Sequence, residues 1–204
     1  IARAQRAARV ARALRPAGYD GEVVSLVTLM QNLGRLVVQY HFADEMRQMR
    51  RLMQPSAGGA QDAAPEPGMT ELAAAFAVLG TDIEGMGAAV ARWWGMDDAV
   101  LHMIRRLPTQ VPVRQTDSDD DVLRYVASAA NEAVDAITQL DADRAGAALQ
   151  VIVHRYGRGL GLTLRELERA LQQGRQALQG RQPAAASTAT LPTDSVESAA
   201  TDPG

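Results

Sequence analysis

Between residues 21 and 40 the chain leaves almost no polar face on a helix. Val23, Val24, Leu26, Val27, Met30, Leu33, Val37 and Val38 spread round the whole circumference at 100° per residue. A helix apolar nearly all round is buried centrally among other helices. The rest of the sequence agrees with that demand. Of its residues 47% are hydrophobic but only 4% aromatic, so the apolar content is mainly Ala, Leu, Val and Met. Strong helix formers dominate and β-branched runs are short. The expected fold class is all-α, a compact multi-helix bundle.

Several classes fall away on composition. There is no cysteine among the 204 residues, so neither a disulfide scaffold nor a Cys-ligated metal site is available. No run of 18 or more apolar residues is present, and no apolar segment with a cleavage site follows the N-terminal arginines. The chain begins at Ile1, which reads as a fragment of a longer protein whose upstream part is missing, with the cytoplasm as its default location. A formal net charge of −3 argues against bulk nucleic-acid binding. All 21 basic residues are arginine, which a GC-rich coding bias explains together with the alanines.

Residues 2–14 read as a helix in which Arg3, Arg6, Arg9, Arg12 and Arg15 recur every third position. That spacing drifts by about 60° per step, so the arginines wrap the helix. A solvated helix leading in from a missing segment is the expectation, ended by Pro16 and Gly18. The central helix of residues 21–40 is capped by Asp20 and expected to break near Gly34, with a second helix from His41 to about Met53. Residues 54–69 lack periodicity and read as a long, mobile loop. Further helices are expected from Thr70 to Leu79, with Leu72 and Phe76 on one face, and from Asp82 to Trp94, with Ile83, Met86, Val90 and Trp93 on one face. Gly95 stands at the C′ position of the latter. A helix starting at Asp97 and Asp98 turns Val100, Leu101 and Ile104 inward and ends by Pro108 and Pro112.

The acidic run 117–121 lacks the glycine and the twelfth-position glutamate of a calcium loop, so its acids are expected to cap a helix from Val122 to Thr138. Another helix runs from Asp143 to Tyr156. Gly157, Gly159 and Gly161 then mark a helix-to-helix turn, since their spacing and context do not fit a phosphate-binding loop. Thr163 and Glu166 form a capping box for a last helix to about Leu178. The expected organisation is an arginine-rich helix over 1–19, a helical domain over 20–180 and a disordered tail over 181–204.

Little in the chain offers catalysis. His41, His102 and His154 sit in no nucleophile signature, and paired carboxylates occur only at helix starts. Met30, Met46, Met49, Met53, Met86, Met96 and Met103 read as adaptable core. No catalytic residue, metal ligand or cofactor is expected.

The informative segment is Leu29-Met30-Gln31-Asn32-Leu33-Gly34-Arg35-Leu36. It resembles the L-L-H-D-I-G-R-L signature of the HD phosphohydrolases, with Gln31 and Asn32 where that family carries metal-binding His and Asp. Leu79 to Val90 is similar to the L-G-x-D-H-x-x-x-G-A-x-L helix, with Ile83 at the histidine position. Trp94-Gly95-Met96 matches a W-G-L/M turn. Val100 to Pro108 matches a helix often ending I-R-x-H-x-x-P, with Arg105, Arg106 and Leu107 where histidines would be expected. An apolar frame that keeps its shape and loses its ligands resembles the HDOD family, non-catalytic HD-related output domains of bacterial signalling proteins. The likeness spans about residues 20–140, and residues 31–42 look closest to HDOD regions fused behind a Ser/Thr protein kinase.

The resemblance implies a regulatory module that works through protein–protein contact, with an upstream signalling domain as partner; the lack of a long apolar run predicts no membrane span, and the net charge argues against nucleic acid. It implies a degenerate pocket formed by Gln31, Asn32, Arg35, Ile83 and Arg106. Gln31, Asn32 and Arg35 would either hydrogen-bond a small ligand or satisfy each other. Helices 43–53 and 164–178 are the expected contact surfaces. The alternative functions are a divergent metal-dependent phosphohydrolase acting on nucleotides, and a nucleic-acid module using the first helix.

Overall fold

The computed structural model describes residues 1–55, 67–108 and 111–179. Most of the expected loop, and all of the expected tail, lie outside the described residues. Ten helices and no strand are present among the described residues: α1 (Ala2–Leu14), α2 (Gly21–Met30), α3 (Leu33–His41), α4 (Ala43–Met53), α5 (Glu71–Leu79), α6 (Ile83–Trp93), α7 (Asp98–Ile104), α8 (Asp119–Gln139), α9 (Ala142–Leu160) and α10 (Leu164–Gln179). No single helix among them is long and apolar enough to cross a membrane.

The scaffold is organised around α8. Small side chains let neighbours approach it closely: Ala127, Ala129, Ala130 and Ala133 are buried beside Val126 and Val134. Against it pack α1, α2, α7 and α9. The first helix corrects the expectation of a solvated lead-in. Ala4, Ala7, Ala8, Val10 and Ala11 are buried, and α1 lies against α2, α8 and α10. Its alanine face is what fits; Arg3, Arg6 and Arg9 lie at the edges of that face, half-buried. Burial lowers the guanidinium pKa of Arg3 and Arg6, and several of their donor nitrogens lack a protein partner.

A second group of helices, α3 to α6, surrounds a small core of Val38, Met49, Ala74, Ala75 and Ile83. A third cluster of Ala91, Leu101 and Ile104, with Met30 and Leu33 packed on it, joins this group to α7. The long helix over 21–40 is broken at Gln31 and Asn32, not at Gly34. The cause is local: Asn32 Nδ2 donates to Thr28 O (2.9 Å), the carbonyl an unbroken helix would give to the Asn32 amide. That amide turns instead to Leu29 O.

Gly34 serves a different end. A Cβ there would overlap the Ile83 carbonyl oxygen and lie 2.9 Å from the Gly87 nitrogen, while one on Gly87 would lie 2.7 Å from the Gly34 nitrogen. The two glycines let α3 and α6 cross backbone against backbone.

Other expectations shift by a turn. Gly157 and Gly159 lie inside α9, and only Gly161 (φ 66°) makes the turn. Gly159 is needed because Val113 runs past it; a Cβ would be 2.6 Å from Val113 Cγ1. Ser118 rather than the acids caps α8, with Asp119, Asp120 and Asp121 in the first turn beside the helix dipole. The capping box of Thr163 and Glu166 forms as expected, Glu166 accepting from the Thr163 amide at 2.9 Å.

Several apolar side chains expected inside are outside. Leu72 and Phe76 on α5, Val23 and Leu26 on α2, and Trp93 on α6 are exposed, Trp93 by 88%. On α6 Ile83 is buried as expected, and the other inward positions are Gly87, Ala88 and Ala91.

Candidate functional site

The break between α2 and α3 turns Gln31 and Asn32 toward α8, where both are buried. They meet a polar stripe on α8 at helical spacing: Ser128, Asn131 and Asp135. Asn32 Nδ2 also donates to Asn131 Oδ1 (2.8 Å), and Asn131 Nδ2 donates to Gln31 Oε1 (3.2 Å). Gln31 Nε2 donates to Met103 O (3.0 Å) and Ser128 Oγ (3.3 Å). Ser128 Oγ in turn accepts the Leu107 amide at 3.1 Å, tying the chain after α7 to α8. Every amide donor and acceptor here has a partner, so the network resists replacement of any one member.

Arg106 closes the network. Its Nη2 donates to Asn32 Oδ1 (2.6 Å) and its Nη1 to Asp135 Oδ2 (2.8 Å). Asp135 also pairs with Arg3 of α1 at 2.6 Å. One carboxylate thus sits between two guanidiniums, and an amide oxygen faces one of them.

Beside this network opens a cavity of about 510 Å³, bounded by the α2–α3 break, the N-termini of α5 and α6, and the chain after α7. Gln31, Arg35, Ile83 and Arg106 line it, and Asn32 lies just behind. The five residues grouped from sequence are therefore brought together. Arg35 is held at the cavity by Glu71, with Nη1 and Nη2 on its two carboxylate oxygens at 2.6 and 2.7 Å. Ile83 is buried and offers no donor. On the cavity wall Glu84 stands exposed, with no side-chain partner among the described residues; partial desolvation raises its carboxyl pKa, while the positive field of Arg106 opposes the rise.

A second charged group braces the chain after α7. Arg155 of α9 donates to Glu132 Oε1 (2.7 Å), Leu107 O (3.3 Å), Val111 O (3.2 Å) and Pro108 O. Tyr156 donates to the same Glu132 oxygen at 2.8 Å. Burial raises the pKa of Glu132, and burial together with the Glu132 charge raises that of Tyr156.

The donor set is a poor one for a divalent cation. Gln31 and Asn32 are neutral amides whose oxygens already accept protein hydrogen bonds, and Ile83 has none to give. Among the described residues no group of three or more His, Asp or Glu side chains is placed to hold a metal ion. His41, His102 and His154 are all exposed and away from the cavity, with His102 Nε2 2.7 Å from Asp121.

Sequence reasoning missed Thr28, Ser128, Asn131, Asp135, Arg3, Glu71 and Glu84. One signal was available. Ser128, Asn131 and Asp135 interrupt the alanine-valine face of α8 at spacings of three and four, which marks a buried polar seam. Compared with known protein families, curated proteins and solved structures, the chain matches none.

Proposed function

We propose that the chain is a non-catalytic signalling module of the HDOD type, cytoplasmic, and part of a larger bacterial signalling protein, with a Ser/Thr kinase as one candidate upstream domain. The observation that carries this reading is the closed network around Asn32. At the positions where the resemblance expects metal ligands, Gln31 and Asn32 bond to Ser128, Asn131 and Arg106. A guanidinium already supplies positive charge at the Asn32 oxygen. A charge that would bind and activate a hydrolytic metal is not assembled there.

Action through a partner surface is supported by what stays outside the core. Leu72 and Phe76 are one turn apart on α5, Val23 and Leu26 share a face of α2, and Trp93 and Trp94 end α6, all exposed. Exposed aromatic and aliphatic side chains of this kind are the usual anchors of protein interfaces. They are better placed for that role than the Arg/Glu faces of α4 and α10.

The test is titration of the purified chain with Mn²⁺, Mg²⁺ and Zn²⁺, with phosphohydrolase assays on nucleotides alongside. The proposal expects no stoichiometric metal at micromolar concentration and no metal-dependent hydrolysis. A stoichiometric metal whose binding is lost in Asn32→Ala, together with hydrolysis, would overturn it.

A further inference from the structure

The cavity wall carries six charged side chains, and their partners can be followed one by one. Arg35 and Glu71 form a two-bond ion pair with each other. Arg106 is taken by Asp135 and Asn32. Asp82 caps α6 by accepting the Gly85 amide at 2.6 Å. Two remain: Glu84 in the first turn of α6, and Arg105 just after α7. Neither has a side-chain hydrogen bond or ion pair among the described residues, and they do not pair with each other. Their sequence neighbours Ile83 and Ile104 are both buried and line the same cavity, with Met30 beside them.

Two exposed side chains of opposite charge thus stand free on the wall of a cavity with an apolar floor. We propose that the cavity binds a small amphipathic zwitterion, its ammonium on Glu84, its carboxylate on Arg105 and its aliphatic body on Met30, Ile83 and Ile104. The volume of about 510 Å³ lies within the range of about 300–1,000 Å³ usual for small-molecule sites. Glu84 and Arg105 are both exposed, so water solvates them, and what a ligand gains is a charge-assisted hydrogen bond at each end together with the apolar contact between. Nucleotides fit this wall less well, because Arg35 and Arg106 are already committed and only Arg105 is free to meet a phosphate. The site stands independently of whether the chain signals through a protein partner.

The probe is 6-aminohexanoate, an aliphatic chain with the two charges at its ends, with hexylamine and hexanoate as single-ended analogues. Binding to the full chain is read by ligand-observed NMR and calorimetry. One site is expected for 6-aminohexanoate, with each analogue weaker by about tenfold, the value of one charge-assisted contact. Glu84→Gln should bring 6-aminohexanoate to the affinity of hexanoate and leave hexanoate unchanged. Arg105→Gln should do the mirror image. Neither side chain holds the fold together, and the analogue series on the unaltered chain stands even if a variant misfolds. No binding of 6-aminohexanoate up to about 10 mM, equal affinity for hexanoate, or affinity unchanged in both variants would each overturn the proposal.

Discussion

Gly34→Ala should unfold the protein at a markedly lower temperature, although alanine is the better helix former. The new Cβ would lie 2.9 Å from the Gly87 nitrogen and the Ile83 carbonyl carbon and would overlap the Ile83 carbonyl oxygen. Ordinary contacts at a carbon run at about 3.5–4.0 Å, so α3 and α6 would have to part by about 1 Å or more. The neighbours are backbone atoms within α6, which cannot swing away as a side-chain tip does. Overpacking of this kind costs about 1–3 kcal/mol, with rigid backbone at the upper end, and the propensity gain of alanine returns about 1 kcal/mol. A net loss of about 2 kcal/mol lowers the melting temperature of a chain this size by about 4–8 °C. Circular dichroism melts at 222 nm read it directly. Gly146→Ala on α9 is the internal control, since a Cβ there meets nothing within 4 Å; it should melt at or above the parent. A Gly34→Ala protein that melts at or above the parent would refute the close crossing of α3 and α6.

Asn32→Asp restores a carboxylate yet loses the two donor bonds to Thr28 O and Asn131 Oδ1, and sets acceptor against acceptor at both. It should cost about 2–3 kcal/mol in urea unfolding and yield no metal-dependent hydrolysis; a stabilised variant would contradict the network described. For Glu84 the carboxyl pKa is raised in the folded chain, so its ionised form opposes folding. Stability from this group is present below the unfolded carboxylate range and is lost as pH rises through the folded value. Glu84→Gln should therefore melt higher than the parent at pH 7, with the gap closing toward pH 4, and a gap that widens on acidification would refute the assignment. Arg155→Ala leaves Glu132 buried without its cation and frees the carbonyls of Leu107, Pro108 and Val111. A loss of about 3–4 kcal/mol is expected, with faster amide exchange near residues 105–113; unchanged exchange there would show that Arg155 does not brace the segment.

Helix positions were legible in the sequence because periodicity and caps are local. Asp20, Thr70, Asp82 and Asp97 each cap the helix that follows, and the Thr163–Glu166 box forms. Glycines were misread for the same reason. Gly34, Gly157 and Gly159 look like breakers to a local reading, yet Gly34 and Gly159 answer to a distant chain segment that only the fold brings near. The burial of α1 was hidden by its arginines, whose regular spacing outweighed the alanines between them. Conversely, the apolar run of α2 suggested full burial where Val23 and Leu26 stay open, and the apolar face expected on α5, Leu72 and Phe76, turns outward. At the site, the grouping of Gln31, Asn32, Arg35, Ile83 and Arg106 came from a resemblance and the structure brings them together. The α8 partners were missed because Asn131 and Asp135 lie about 100 residues away from Asn32, beyond any local pattern.

The seat of α1 has a consequence for how the chain comes to be folded. As the chain leaves a ribosome, α1 finds part of its cover on α2, but the rest comes from α8 and α10, made more than a hundred residues later. Until then Ala7, Val10 and Ala11 have only a partial lid. A helical protein dominated by neighbour-to-neighbour contacts would assemble progressively during synthesis, whereas here closure waits for the far end of the domain. The nascent chain should therefore spend most of the synthesis of α1 to α10 with an uncovered alanine-valine face, and chaperone capture of ribosome-bound intermediates should fall off sharply only once α10 has emerged.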